Sequence, residues 1–213
     1  MRIFFCLLFL FTLSYSLSAQ DDIPNYHSKR ENFSKMIEKD ARADIASFAL
    51  AGLDEAAGKE PLPYVPVVEY NDDYVLLSKD NIKVKIIAGK FDKTKHKILY
   101  YDEKYVTKID NKPFYGVDGQ MPVKTIQSII VTIGSDSINI PVTAYSDLYE
   151  PWFCKPGGAD QKAKCHTGVY LSRDNHRLYI YMLSGDGFKG KGYEVTWVIQ
   201  DNKYLRRVLD DDF

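Results

Sequence analysis

The stretch from Gly168 to Leu209 constrains the fold most. It reads as four antiparallel strands in a row, at Val169–Ser172, Arg177–Leu183, Tyr193–Gln200 and Tyr204–Leu209. Asp174–Asn175 and Asp201–Asn202 separate two of the pairs. Asp and Asn tolerate the positive φ that the centre of a two-residue hairpin turn needs. Such a turn at Asp174–Asn175 sets Arg173 against His176, Leu171 against Leu178 and Val169 against Ile180. Side chains alternate with period two, so those four apolar residues share one face and Tyr170 meets Tyr179 on the other. A three-residue loop would set Leu171 against Tyr179 and mix the faces. The second turn sets Ile199 against Tyr204, Trp197 against Arg206 and Val195 against Val208. Trp197 and Arg206 are then placed for a cation–π contact of about 0.5–1 kcal/mol. Tyr193, Val195, Trp197 and Ile199 line one face, and Glu194, Thr196, Val198 and Gln200 the other, as in a strand with one face buried.

Residues 1–19 read as a secretory signal peptide. Arg2 supplies the positive start, Ile3 to Leu13 an apolar run broken only by Thr12, and Ser16–Ala19 the small residues of a cleavage site. Cleavage falls after Ala19, with Ser18 as second choice. The Ser18-Ala19-Gln20 junction resembles the signal ends of many exported Gram-negative bacterial proteins. An uncleaved anchor is the alternative, but the run is short of the ~20 residues a span needs. No second apolar run of spanning length follows, so the mature chain is expected to have no transmembrane span.

Export alters the cysteine arithmetic. Cys6 leaves with the leader, and Cys154 and Cys165 remain as an even pair in an oxidising compartment, the periplasm or the exterior. They enclose ten residues containing Pro156, Gly157 and Gly158. A disulfide would staple that loop and stabilise by about 3 kcal/mol in the chain-entropy model. A metal site with His166 as third ligand competes, but no C-x-x-C or H-x-x-x-H spacing supplies a fourth donor. No metal or cofactor is expected.

Residues 20–27 read as an extended start. Ser28 and Glu31 then match a capping box, and Phe33, Met36, Ile37, Ala41, Ile45 and Phe48 recur at helical spacing. One amphipathic helix is expected over 28–58, ending near Gly52 or Gly58. Its stripe needs a sheet to cover. Asn32-Phe33-Ser34 spells a glycosylation sequon, which the helix and the bacterial leader argue against. Pro61, Pro63 and Pro66 make 59–66 a linker. Strands are expected at 67–70, 74–78, 82–88, 97–101, 105–109, 124–133 and 137–144. With the meander they total about eleven and make 67–213 one β domain. The fold class is mainly β: an antiparallel β-sandwich or partly open barrel with one N-terminal amphipathic helix packed against it.

The chain's net charge of −1 gives no reason to expect nucleic acid as partner. Its 16 tyrosines fit pleated, half-buried surfaces, or alternatively an aromatic binding surface. Gly185-Asp186-Gly187-Phe188-Lys189-Gly190 spells G-x-G-x-x-G and, with Lys191, the start of a phosphate loop. A strand follows where a helix N-terminus is needed, so it reads as a hairpin loop. No nucleophile-elbow, zincin or EF-hand pattern occurs. His27, His96, His166 and His176 are scattered, and only His166 adjoins an unusual loop. That loop, 145–165, is long for a connection between strands. Its binding candidates are Asp147, Tyr149, Glu150, Trp152 and His166, and no catalytic set can be named. Two readings follow. One is an exported, non-catalytic binding or envelope-associated module for a glycan, peptide or protein. The other is a secreted hydrolase of an envelope or extracellular polymer using Glu150, Asp147 or His166.

Overall fold

The computed structural model describes residues 28–49, 60–157, 163–184 and 192–211. Two helices come first, α1 (Lys29–Lys35) and α2 (Lys39–Ala46). The strands are β1 (Tyr64–Val65), β2 (Val67–Tyr70), β3 (Tyr74–Lys79), β4 (Ile82–Lys90), β5 (Ile98–Tyr101), β6 (Tyr105–Ile109) and β7 (Lys124–Ile133). They continue as β8 (Asp136–Asn139), β9 (Cys154–Lys155), β10 (Lys164–Cys165), β11 (Thr167–Leu171), β12 (Arg177–Ser184), β13 (Tyr193–Gln200) and β14 (Lys203–Asp210). The chain is mainly β. Two five-stranded antiparallel sheets, β1-β11-β12-β13-β14 and β2-β3-β4-β7-β8, carry most of it. The pairs β5–β6 and β9–β10 stand beside them, and no sheet closes into a barrel. The leader at 1–19, the start at 20–27, the far end of the expected helix at 50–58 and the Gly185–Gly190 motif lie outside the described residues.

The first hairpin of the meander has the expected register: Val169 faces Ile180, Tyr170 faces Tyr179 and Leu171 faces Leu178. Asn175, Asp201 and Asn202 take φ of 59°, 49° and 59°, as tight turns require. The second hairpin departs. Ile199 faces Tyr204, but a bulge between Val198 and Ile199 then sets Trp197 against Arg207 and Val195 against Leu209. Trp197 therefore has no cation–π contact with Arg206. It is wholly buried, and its indole N–H donates to the Ala144 carbonyl at 2.8 Å. The bulge turns Arg207 and Leu209 to one side of β14 and sends Arg206 to the other, where it pairs with Glu38 at 3.0 Å.

Residues of both large sheets share one apolar cluster that includes Leu77, Ile86 and Val131 with Ile180, Met182, Val195 and Trp197. Tyr179, Tyr181, Val198 and Val208, on the other face of the meander sheet, cluster with Phe33, Met36, Ala41 and Ile45. β13 is consequently buried on both faces, where alternation alone indicated one. Ser184 pairs directly with Tyr193 across the hairpin, so a strand and not a helix follows the Gly185–Gly190 motif.

The expected single helix is two short ones. Ser28 Oγ accepts from the Glu31 N–H at 3.2 Å, as the capping box requires. The helix breaks at residues 36–38, where Met36 takes an extended ψ of 119°. Met36 and Ala41 are both buried across that break, whereas Ile37 is 89% exposed and leaves the stripe. Asn32 is buried and donates through Nδ2 to the Leu209 carbonyl at 2.9 Å, so this sequon has no free amide to glycosylate. The linker holds β1, which pairs with β11. The strand expected over 137–144 stops at Asn139, and residues 142–144 form a 3-10 turn after Pro141.

Candidate functional site

The connection 145–166 is built in two parts. Its first part is tied into the body. Tyr115 N–H donates to the Asp147 carbonyl, and Tyr149 N–H to the Tyr115 carbonyl, each at 2.9 Å. Gly116 takes φ of +103°, and a Cβ there would stand 2.2 Å from the Tyr149 carbonyl oxygen, so the close approach needs glycine. Tyr149 is buried with Phe91, Val106 and Ile109, and burial pushes its phenol up to about 12. It is a packing residue, not an exposed stacking platform.

Both loop carboxylates have structural partners. Asp147 accepts two hydrogen bonds from Arg207, at 2.6 and 2.7 Å, in a bidentate pair whose arginine side chain is 6% exposed. Glu150 sits at φ of +49°. Its Oε1 accepts the Lys124 N–H at 2.9 Å and the Val123 N–H at 2.5 Å. Its own carbonyl accepts from Ser184 Oγ at 2.6 Å. Glu150 thus fastens the connection to β7 and to the end of β12.

The second part begins at Trp152 and reaches the surface. The Cys154 and Cys165 sulfurs lie 2.06 Å apart, at bonding distance, with Cα atoms 3.9 Å apart. The cysteines face each other across β9–β10. Among the described residues no group of three or more His, Cys, Asp or Glu is placed to hold a metal ion. His166 follows the pair. Its N–H donates to the Phe153 carbonyl at 2.7 Å and its carbonyl accepts from Leu183 at 2.8 Å. Those bonds lay its ring on Trp152, with centroids 4.6 Å apart and planes 22° from parallel. Lys155 Nζ stands 3.6 Å from the Trp152 ring centre. Burial, and then Lys164 and Lys155, hold the His166 imidazole below its ordinary range. The ring is therefore neutral at pH 7 and stacks without repelling the lysines.

Of the five expected binding residues, Trp152 and His166 meet, while Asp147, Tyr149 and Glu150 point into the framework. Sequence reasoning passed over Lys155 and Lys164, and their position beside the cysteines was the available signal. It also missed a cleft of about 310 Å3 at the opposite end of the sheets, between the turns at Asn81, Asn175 and Asn202 and floored by Ile82, Ile133 and Leu178. No helix among the described residues is long and apolar enough to cross a membrane. No known family model matches the chain, and neither a curated protein nor a solved structure is similar to it.

Proposed function

We propose that this chain is an exported, non-catalytic binding module, in which the two large sheets face each other as a β-sandwich. The helix pair covers the outer face of the meander sheet, and ligand binds at the disulfide end, on Trp152, Lys155 and His166. The shared core of the two sheets and the cluster of Phe33 and Ile45 with Tyr179 support that architecture. The leader takes the chain to the periplasm or beyond. The ligand is an envelope or extracellular glycan, peptide or protein, not nucleic acid.

The observation that carries the reading is the fate of the two carboxylates. A hydrolase of the kind expected from this loop would use Glu150, Asp147 or His166 to move a proton or attack; the His166 ring is stacked on Trp152, and a carboxylate in that role must be free. Asp147 is clamped by Arg207, and Glu150 is held by two backbone amides. Trp152, in contrast, is covered in part by an exposed lysine, in a contact of about 0.5–1 kcal/mol that a ligand can displace.

Tryptophan fluorescence of the full protein, titrated with envelope glycans and peptides, tests this. Trp197 is fully buried, so Trp152 should dominate the response. A saturable change that leaves polymer length unaltered is expected. Shortening of the polymer would refute the non-catalytic reading. Export is checked separately by mass spectrometry: the exported chain should start at Gln20 or Ala19, and one retaining Met1 would refute the cleaved leader.

A further inference from the structure

Residues 90–112 hold seven lysines against four acids, in a chain whose net charge is −1. Whole-chain balance therefore conceals a local basic segment. Lys95 pairs with Asp92, and His96 with Asp110. Lys90, Lys93, Lys97, Lys104 and Lys108 make no ion pair among the described residues. This segment contains the β5–β6 hairpin, which stands apart from both large sheets.

One face of the hairpin is anchored. Val106 and Ile109 are buried with Phe91 and Tyr149, the tyrosine of the 145–166 connection. The other face is open and aromatic. Tyr101 and Tyr105 are 70% and 47% exposed, while Tyr100, 50% exposed, pairs with Val106 on the anchored side. The register shift between Leu99 and Tyr100 leaves Thr107 as the extra residue of β6 and sets Lys108 opposite Leu99. Tyr101 lies directly opposite Tyr105, and Lys104 Nζ stands 5.0 Å from the Tyr105 ring centre. Two exposed phenols together with Lys104 and Lys108, on a rigid mount, make more than a solvated strand.

We infer that the outer face of the β5–β6 hairpin docks an acidic polysaccharide, a uronate-type polymer. The inference rests on the reading of the chain as an exported binding module and names a ligand class for it. Sugar rings present C–H faces that stack on phenol rings, while carboxylates along the polymer meet the lysines. The tip favours a polymer over a lipid surface. Asp102 and Glu103 occupy it, and an anionic membrane would repel both where an inserting wedge should be apolar. Contact therefore runs along the strands.

Affinity electrophoresis of the full protein through gels containing polygalacturonate, with dextran as the neutral control, tests the inference. Retardation by polygalacturonate alone is expected, weakening as salt rises. Tyr101→Ala with Tyr105→Ala, and separately Lys104→Glu with Lys108→Glu, should each weaken it about tenfold or more. All four positions are exposed, so circular dichroism and thermal melts should match the unaltered protein. Tyrosine variants that bind as tightly as the parent would overturn the inference, since charge alone would then suffice. So would equal retention by DNA or by phosphatidylglycerol vesicles. The module reading fails differently, by shortening of the polygalacturonate. Binding that survives both hairpin pairs but is lost in Trp152→Ala overturns the hairpin inference and leaves the module intact.

Discussion

The β11–β12 hairpin carries a histidine at each end, and the two meet opposite charges. His166, at the start of β11, lies against Trp152 with Lys155 and Lys164 nearby, and its imidazole is held below the ordinary value of 6.5. His176, at the turn, pairs with Asp201 at 2.9 Å beside Asp174 and Arg177, and its imidazole is held above 6.5. The disulfide end is a packed, aromatic, basic surface on a buried frame. The turn end is a ring of solvated hairpin tips around a small cleft. The difference shows where ordered side chains coincide with lysines that make no ion pair among the described residues, and we place the ligand surface there.

The largest expected effect separates the frames of the two ends. Asp147→Ala leaves the Arg207 guanidinium buried without its partner and should destabilise by about 3–5 kcal/mol in urea unfolding. Asp201→Asn, which removes the charge from an exposed pair and keeps the positive φ of the turn, should scarcely move the unfolding midpoint. Equal effects at the two ends would break the comparison.

Next comes the staple. Cys154→Ser with Cys165→Ser should lose about 3 kcal/mol and lower Tm by several degrees. It should weaken ligand binding at Trp152 further than it weakens the fold. Two free thiols in the native, unreduced protein would contradict the bond.

The part of the molecule that could be read from sequence was the part decided locally. Asp174–Asn175 fixes its own turn type, and Val169, Leu171, Leu178 and Ile180 fix the register by alternation. The bulge at Val198–Ile199 was not legible. It is bound up with the burial of Arg207 against Asp147, sixty positions away in the chain. The same distance hid the roles of Asp147 and Glu150, whose partners are Arg207 and the amides of Val123 and Lys124. The Cys154–Cys165 bond brings Trp152 and His166 together, a contact that the sequence reading did not draw. Which face of Tyr100–Tyr105 stays open depends on Tyr149 and Phe91, and strand periodicity alone cannot say.

A smaller effect concerns pH. The unfolded chain protonates His166 near 6.5, while the folded chain resists, so this group's stability is present above 6.5 and lost as pH falls through the folded value. For His176 the sign reverses: its contribution is present below 6.5 and lost as pH rises through the folded value. Histidine side-chain NMR should show His166 titrating below 6.5 and His176 above it. Both rings titrating together would break the comparison. His176 is exposed, so added salt should bring its value back toward 6.5. His166 should respond less. The smallest change is Lys155→Ala, which removes the ammonium from the Trp152 ring and should shift stability by less than about 1 kcal/mol.

Chemical-shift mapping during a polygalacturonate titration tests the central claim most directly. The Trp152 indole N–H, the His166 ring and the amides of Tyr100–Tyr105 should move together, while Trp197, His176 and Asn202 stay fixed. Shifts gathered around His176 and Asn202 would place the ligand in the turn-end cleft and contradict the account.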